Sequence, residues 1–243
     1  MAKGKSRREA LLIGAGLVAV AAGWQAWVRR PRAFEFQPIP GLPGWRRLPG
    51  GEISGGASAA IFAGLDADDS VAPLEAGRLC EVLFGRARSQ AVPLAVFTDF
   101  NCPFCRRIAP TLAARATAGT IALNWLEWPV YGARSEEVAR ALVAAEEMGQ
   151  AEALRGPLYS GASAPLSRVV AASGIPAGVL AARMDSASVG RRLEEIDRAA
   201  ALLALPGTPS MMVGRTLVIG ALSPEELDRL IALEAEAGPT PCG

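Results

Sequence analysis

The chain has 243 residues, 51% of them apolar, with 25 basic groups, 24 acidic groups and no histidine. That is enough apolar surface for a full core, which excludes a miniature domain held together by disulfides alone. Seven of the basic groups and one acid lie in residues 1–32, leaving 18 basic against 23 acidic groups beyond them. An acidic domain without a basic stripe is a poor nucleic-acid binder, because neutralising phosphates supplies most of that affinity.

At the N-terminus, Lys3, Lys5, Arg7 and Arg8 precede an apolar run from Leu11 to Val28 broken only by Gln25. Eighteen helical residues span roughly 27 Å, close to the hydrocarbon thickness of a bilayer. Residues 1–30 therefore read as an export segment. It is either an anchor retained over 11–28 or a signal peptide cut near Ala19-Val20-Ala21; Trp24 and Trp27 extend the run beyond that site and favour the anchor. Both readings place the remaining chain outside the cytoplasm, in a periplasmic or other extracytoplasmic space where disulfides persist. Residues 31–50 carry five prolines and little periodicity, the composition of an extended tether. A Gly-rich stretch and a helix over Leu74–Phe84 complete a lead-in covering 31–89.

Residues 90–238 read as one α/β domain. "AVPLAVFTDF" is a short apolar run with the length and composition of a buried strand. A helix over about 102–118 follows, then a second strand, "TIALNWLEW", over 120–128. Ser135 reads as the N-cap of the next helix, whose face carries Val138, Leu142, Ala145 and Met148 before Gly149 ends it. Shorter helices fill 150–185 between Gly156-Pro157, Gly161, Pro165, Gly174 and Pro176. Val189, Leu193, Ile196 and Leu203 mark another amphipathic helix. "TPSMMVG" and "TLVIGA" form a hairpin around Gly214 and Arg215. The last helix opens with Ser223, Pro224 and Glu226, a capping box with proline at the first helical position. The pattern predicts one mixed sheet covered by helices, with a helical insertion at about 130–188 and a tail at 239–243.

The chemistry concentrates in Cys102 and Cys105, two of four cysteines. A zinc site needs four ligands, and only the isolated Cys80 and Cys242 could complete one, so no metal is assigned. As a structural disulfide the pair would close a very short loop and remove little unfolded-state entropy. The redox reading has a mechanism. Cys102 at the N-cap leaves Pro103 at the first helical position, where its missing N–H costs nothing, and Cys105 at the third. The free N–H groups of the first turn and the helix dipole then favour a Cys102 thiolate without any imidazole. No metal or organic cofactor is required. Arg106 and Arg107 lie next to the pair and read as thiolate stabilisers or as an exposed helix face. Asp99 and Glu127, at the ends of the two strands, read as proton relays to Cys105 or as solvated strand-end charges. Cys80 and Cys242 make an even count in an oxidising compartment, and their pairing would staple the tail onto the lead-in helix.

The segment "FTDFNCPFC", the inserted helices, and "GTPS" before a terminal hairpin and helix resemble the thioredoxin superfamily. Within it, they resemble the exported DsbA-like thiol:disulfide oxidoreductases over roughly 90–237. The resemblance implies a thioredoxin-like fold, an exposed attacking cysteine at Cys102 and a buried resolving cysteine at Cys105. It makes Thr208-Pro209 the loop whose cis proline packs against the disulfide, with Thr208, Pro209, Pro103 and Phe104 facing the substrate. An extended client segment would pair with the backbone there, a form of strand addition. The implied partners are exported proteins with thiols or disulfides and a membrane redox partner. Strongly oxidising members carry a histidine where this chain has Phe104, which implies a less oxidising centre. Oxidase, reductase and isomerase directions stay open. A different reading of the same fold is a chaperone-like or assembly protein whose disulfide is structural, and a third is a metal carrier.

Overall fold

A computed structural model of the chain describes residues 33–48, 76–85, 90–161 and 164–242. The export segment over 11–28 lies outside these residues. Among the described residues no helix is long and apolar enough to cross a membrane.

The central strand, β3 (Val92–Thr98), is buried on both faces, as its continuous apolar run requires. On one side it pairs in parallel with β4 (Ile121–Glu127); on the other it pairs antiparallel with β5 (Ser210–Val213). Helix α2 (Pro103–Thr117) makes the crossover between β3 and β4. β5 turns back through Gly214-Arg215 into β6 (Thr216–Ile219), the hairpin its sequence predicts. The described sheet has six strands in the order β1-β2-β6-β5-β3-β4, with β1 (Gln37–Pro38) and β2 (Arg46–Leu48) at one edge.

That edge corrects the reading of 31–50 as a tether. β2 runs parallel to β6, and Ile39, Leu42 and Trp45 are buried in the same core as Phe97 and Leu217. The prolines and glycines there encode tight turns: Gly41 and Gly44 have φ of +76° and +86°, a backbone region that favours glycine. Arg46 locks the edge in place. Its Nη2 donates to Glu234 Oε1 at 2.6 Å and its Nε to Thr216 Oγ1 at 2.7 Å. From Phe36 onward the described residues thus form one unit, and the domain begins well before residue 90.

Helix α1 (Ala76–Phe84) buries Leu79, Val82 and Leu83 in that core. The insertion consists of α3 (Ala133–Glu147), α4 (Ala151–Ser160), α5 (Leu166–Ser173) and α6 (Ala177–Met184), after which α7 (Ala187–Leu202) returns to the sheet. Two local expectations fail here. Helix α3 starts at Ala133 with Gly132 as N-cap, because the Ser135 hydroxyl is engaged elsewhere. Helix α4 also runs through Gly156-Pro157, which the sequence reads as punctuation. The terminal helix α8 (Pro224–Glu236) has both hydrogen bonds of the predicted capping box.

Cys80 on α1 is bonded to Cys242 in the tail, and this closes a separation of 162 residues. Around the same edge, Arg215 Nη2 donates to the carbonyls of Ala237, Gly238 and Pro239. The tail therefore lies against the Gly214-Arg215 turn, where Gly214 N donates to Pro93 O near the start of β3.

Candidate active site

At the other end of β3, the chain leaves the sheet through Asp99-Phe100-Asn101 and enters α2. Cys102 is the N-cap, with extended backbone at φ −71° and ψ 118°, and Pro103 occupies the first turn. The Cys105 backbone N–H donates to Cys102 Sγ at 3.3 Å. This is the geometry the spacing predicts: an orphan N–H of the first turn aimed at sulfur. The two cysteines are in dithiol form. On its opposite side the Cys102 thiol donates to Thr208 O at 3.4 Å.

The Thr208–Pro209 bond is cis, and Pro209 and Thr208 are buried beside the cysteine pair. The Thr208 hydroxyl is buried with no hydrogen-bond partner. The implied exposure of Cys102 is corrected: the residue is 0% exposed, because the Thr208 carbonyl caps its sulfur. Pro103 is exposed and Phe104 half-buried, so these two form the surface next to the motif.

Asp99 is buried, and both of its oxygens are occupied. Oδ1 accepts from Asn101 N and from Ser135 Oγ, each at 2.8 Å. Oδ2 accepts from Val130 N at 2.9 Å and Tyr131 N at 3.3 Å. The carboxylate thus ties the loop before Cys102 to the loop after β4, where Val130 and Tyr131 are exposed. The Ser135 hydroxyl also accepts from Asn101 Nδ2 at 2.9 Å, which explains why it is unavailable as a helix cap. Arg106 staples the same turn through Nη1 to the carbonyls of Phe100 and Asn101, both at 3.1 Å. Arg107 lies over the Phe104 ring, 4.9 Å from its centroid.

Glu127 sits behind the motif rather than in solvent. It is 1% exposed, with Oε1 accepting from Arg155 Nη2 at 3.1 Å and Oε2 from the Tyr159 hydroxyl at 3.2 Å. Burial pushes its carboxyl up to about 7, with Arg155 and the Tyr159 hydrogen bond working against the rise. The Tyr159 hydroxyl is 2.9 Å from Thr98 Oγ1. Burial raises the Cys105 thiol strongly and interactions with Cys102 raise it further, while the Thr98 hydroxyl acts in the opposite direction.

Thr98, Arg155 and Tyr159 are absent from the sequence reading. Arg155 and Tyr159 lie four apart in "AEALRGPLYS", alongside Leu154 and Leu158 on the buried side of α4. A charge and a hydroxyl at that spacing within an apolar face mark a buried polar partner in need of pairing.

A family model described as a DSBA-like thioredoxin domain matches residues 94–232. Among solved structures, the chain is similar to a thioredoxin-like oxidoreductase from Silicibacter pomeroyi DSS-3, with 27% identity and a TM-score of 0.60, covering 65% of this chain and 98% of that one. It is also similar to a periplasmic thioredoxin-like protein from Salmonella enterica serovar Typhimurium, with 21% identity, a TM-score of 0.57, and 65% and 96% coverage. The thiol-disulfide exchange protein α-DsbA2 from Wolbachia pipientis shares the fold at 15% identity and a TM-score of 0.58, with 74% and 99% coverage. A comparison with curated proteins returns no match.

Proposed function

The chain belongs to the DSBA-like thioredoxin domain family, and from that premise we propose that it exchanges disulfides with exported client proteins through Cys102 and Cys105. One observation carries the reading. The Cys102 sulfur is held at a helix N-terminus between the Cys105 N–H and the loop of the cis proline. The Cys105 N–H and the helix N-terminus favour a thiolate there, which a thiol without a histidine needs. The Thr208 carbonyl accepts from the thiol and holds it protonated until a client displaces it.

In the reducing direction, the Cys102 thiolate attacks a client disulfide. A Cys102–client bond forms, and the displaced client sulfur leaves as a thiolate. Cys105 then loses its proton to Glu127 and attacks Cys102 Sγ, releasing the second client sulfur and leaving a Cys102–Cys105 disulfide. The oxidising direction reverses each step, with Cys105 as the leaving thiolate that regains the proton. Either way the client must displace the Thr208 carbonyl from the Cys102 sulfur. Thr208, Pro209, Pro103 and Phe104 form the client-facing surface, and Asp99 holds the loops beside it. No metal or organic cofactor enters these steps. The clients are exported proteins, the protein works in the periplasm or an equivalent space, and residues 11–28 anchor it to the membrane that holds its redox partner.

The test is the reduction potential of the Cys102–Cys105 couple, measured by equilibration in glutathione buffers. Without an imidazole beside Cys102, the value should fall below the roughly −120 mV of a strong oxidant and reach no lower than about −270 mV. A potential under about −300 mV, the range of structural disulfides, would favour the chaperone-like alternative.

A further inference from the structure

We infer that Thr98 and Tyr159 conduct the Cys105 proton to Glu127, so that a helix of the insertion supplies half of the proton path behind the redox pair. This deepens the exchange reading above and rests on it. Tyr159 bridges the Thr98 hydroxyl and the Glu127 carboxylate at 2.9 and 3.2 Å, and Thr98, the last residue of β3, is the side chain that acts on the Cys105 thiol and lowers it. The polarity of this path is fixed at the far end. An ionised Glu127 can only accept, so Tyr159 donates to it, Thr98 donates to Tyr159, and the Thr98 oxygen is left to accept from the Cys105 thiol.

During resolution the proton moves one place along each bond. Cys105 gives its proton to Thr98, Thr98 gives its own to Tyr159, and Tyr159 gives its own to Glu127. Every donor is then reversed, and Thr98 donates to the new Cys105 thiolate. That thiolate forms the bond to Cys102 Sγ, and the client sulfur leaves with the electron pair of the broken Cys102–client bond. No further oxidant or proton carrier is needed.

Neither hydroxyl need ionise. Burial holds the Tyr159 hydroxyl well above its ordinary value, with Glu127 adding to the rise, so its part is to pass a proton and not to store one. Glu127, half-ionised near pH 7, is the store. Burial sets its affinity; Arg155 opposes the rise from Nη2 while its Nη1 binds Glu152 at 2.6 Å, and Glu146 on α3 adds to the rise.

The experiment mixes reduced protein with oxidised glutathione, quenches with acid, and follows by intact mass how the Cys102–glutathione adduct converts to the internal disulfide. In the wild type, conversion should accelerate with pH and level off above about 7, as Glu127 becomes able to accept. Tyr159→Phe should slow it at pH 7 by ~100-fold, the usual scale of lost general-base help, and remove the inflection. Thr98→Val should do the same and Thr98→Ser should restore both, whereas adduct formation should be unchanged in all three. Conversion at the wild-type rate with the inflection intact in Tyr159→Phe would overturn the relay, as would a Thr98→Ser variant no faster than Thr98→Val. If the wild type never forms the adduct, the exchange reading itself fails.

Discussion

Cys102→Ser should lose all catalysed thiol-disulfide exchange, measured as the reduction of insulin disulfides by dithiothreitol. The expected drop is on the order of 10³-fold or more, down to the uncatalysed background, as when a hydrolase loses its nucleophile. The oxygen of serine stays protonated and cannot form the mixed disulfide. The fold should be untouched. Serine is among the favoured N-cap residues, so its oxygen can accept the Cys105 N–H in place of the sulfur. Unchanged unfolding with abolished exchange separates chemistry from structure, and a variant that still accelerates insulin reduction would remove Cys102 from the mechanism.

The second large effect concerns stability. Removing the Cys80–Cys242 bond by a double alanine substitution should destabilise the domain by about 5 kcal/mol on the chain-entropy model, since a loop of about 160 residues is released in the unfolded state. Urea unfolding would read it as a lower midpoint. Exchange at Cys102 should persist below that midpoint. The tail lies against the Gly214-Arg215 turn, which is bonded to the start of β3, and the redox pair follows the other end of that seven-residue strand, roughly 20 Å away. An unchanged midpoint would mean that the arginine contacts to the tail hold it without the disulfide.

Much of this was legible in the sequence wherever a local rule fixes a local structure. The N-cap cysteine with proline behind it, the Gly214-Arg215 hairpin and the Ser223-Pro224-Glu226 start of α8 all follow from short-range chemistry, and the structure repeats them. What escaped depends on contacts distant in the chain. Two short edge strands acquire meaning only through β6 and Glu234, 170 and 188 residues from Arg46. Ser135 looks like a cap until Asp99, 36 residues earlier, claims its hydroxyl. Glu127 reads as a solvated strand end until α4 brings Arg155 and Tyr159 over it. Cys102 is at the predicted place yet covered, because the Thr208 carbonyl arrives from 106 residues further on.

The claim everything else depends on is that Cys102 is the sulfur that meets the client. The most direct measurement is to expose Cys105→Ser, with Cys102 prereduced, to oxidised glutathione and locate the adduct by peptide mass. The account predicts a persistent mixed disulfide on Cys102, since the sulfur that would resolve it is gone. A Cys102 that stays unmodified while free cysteine in the same solution reacts would contradict it.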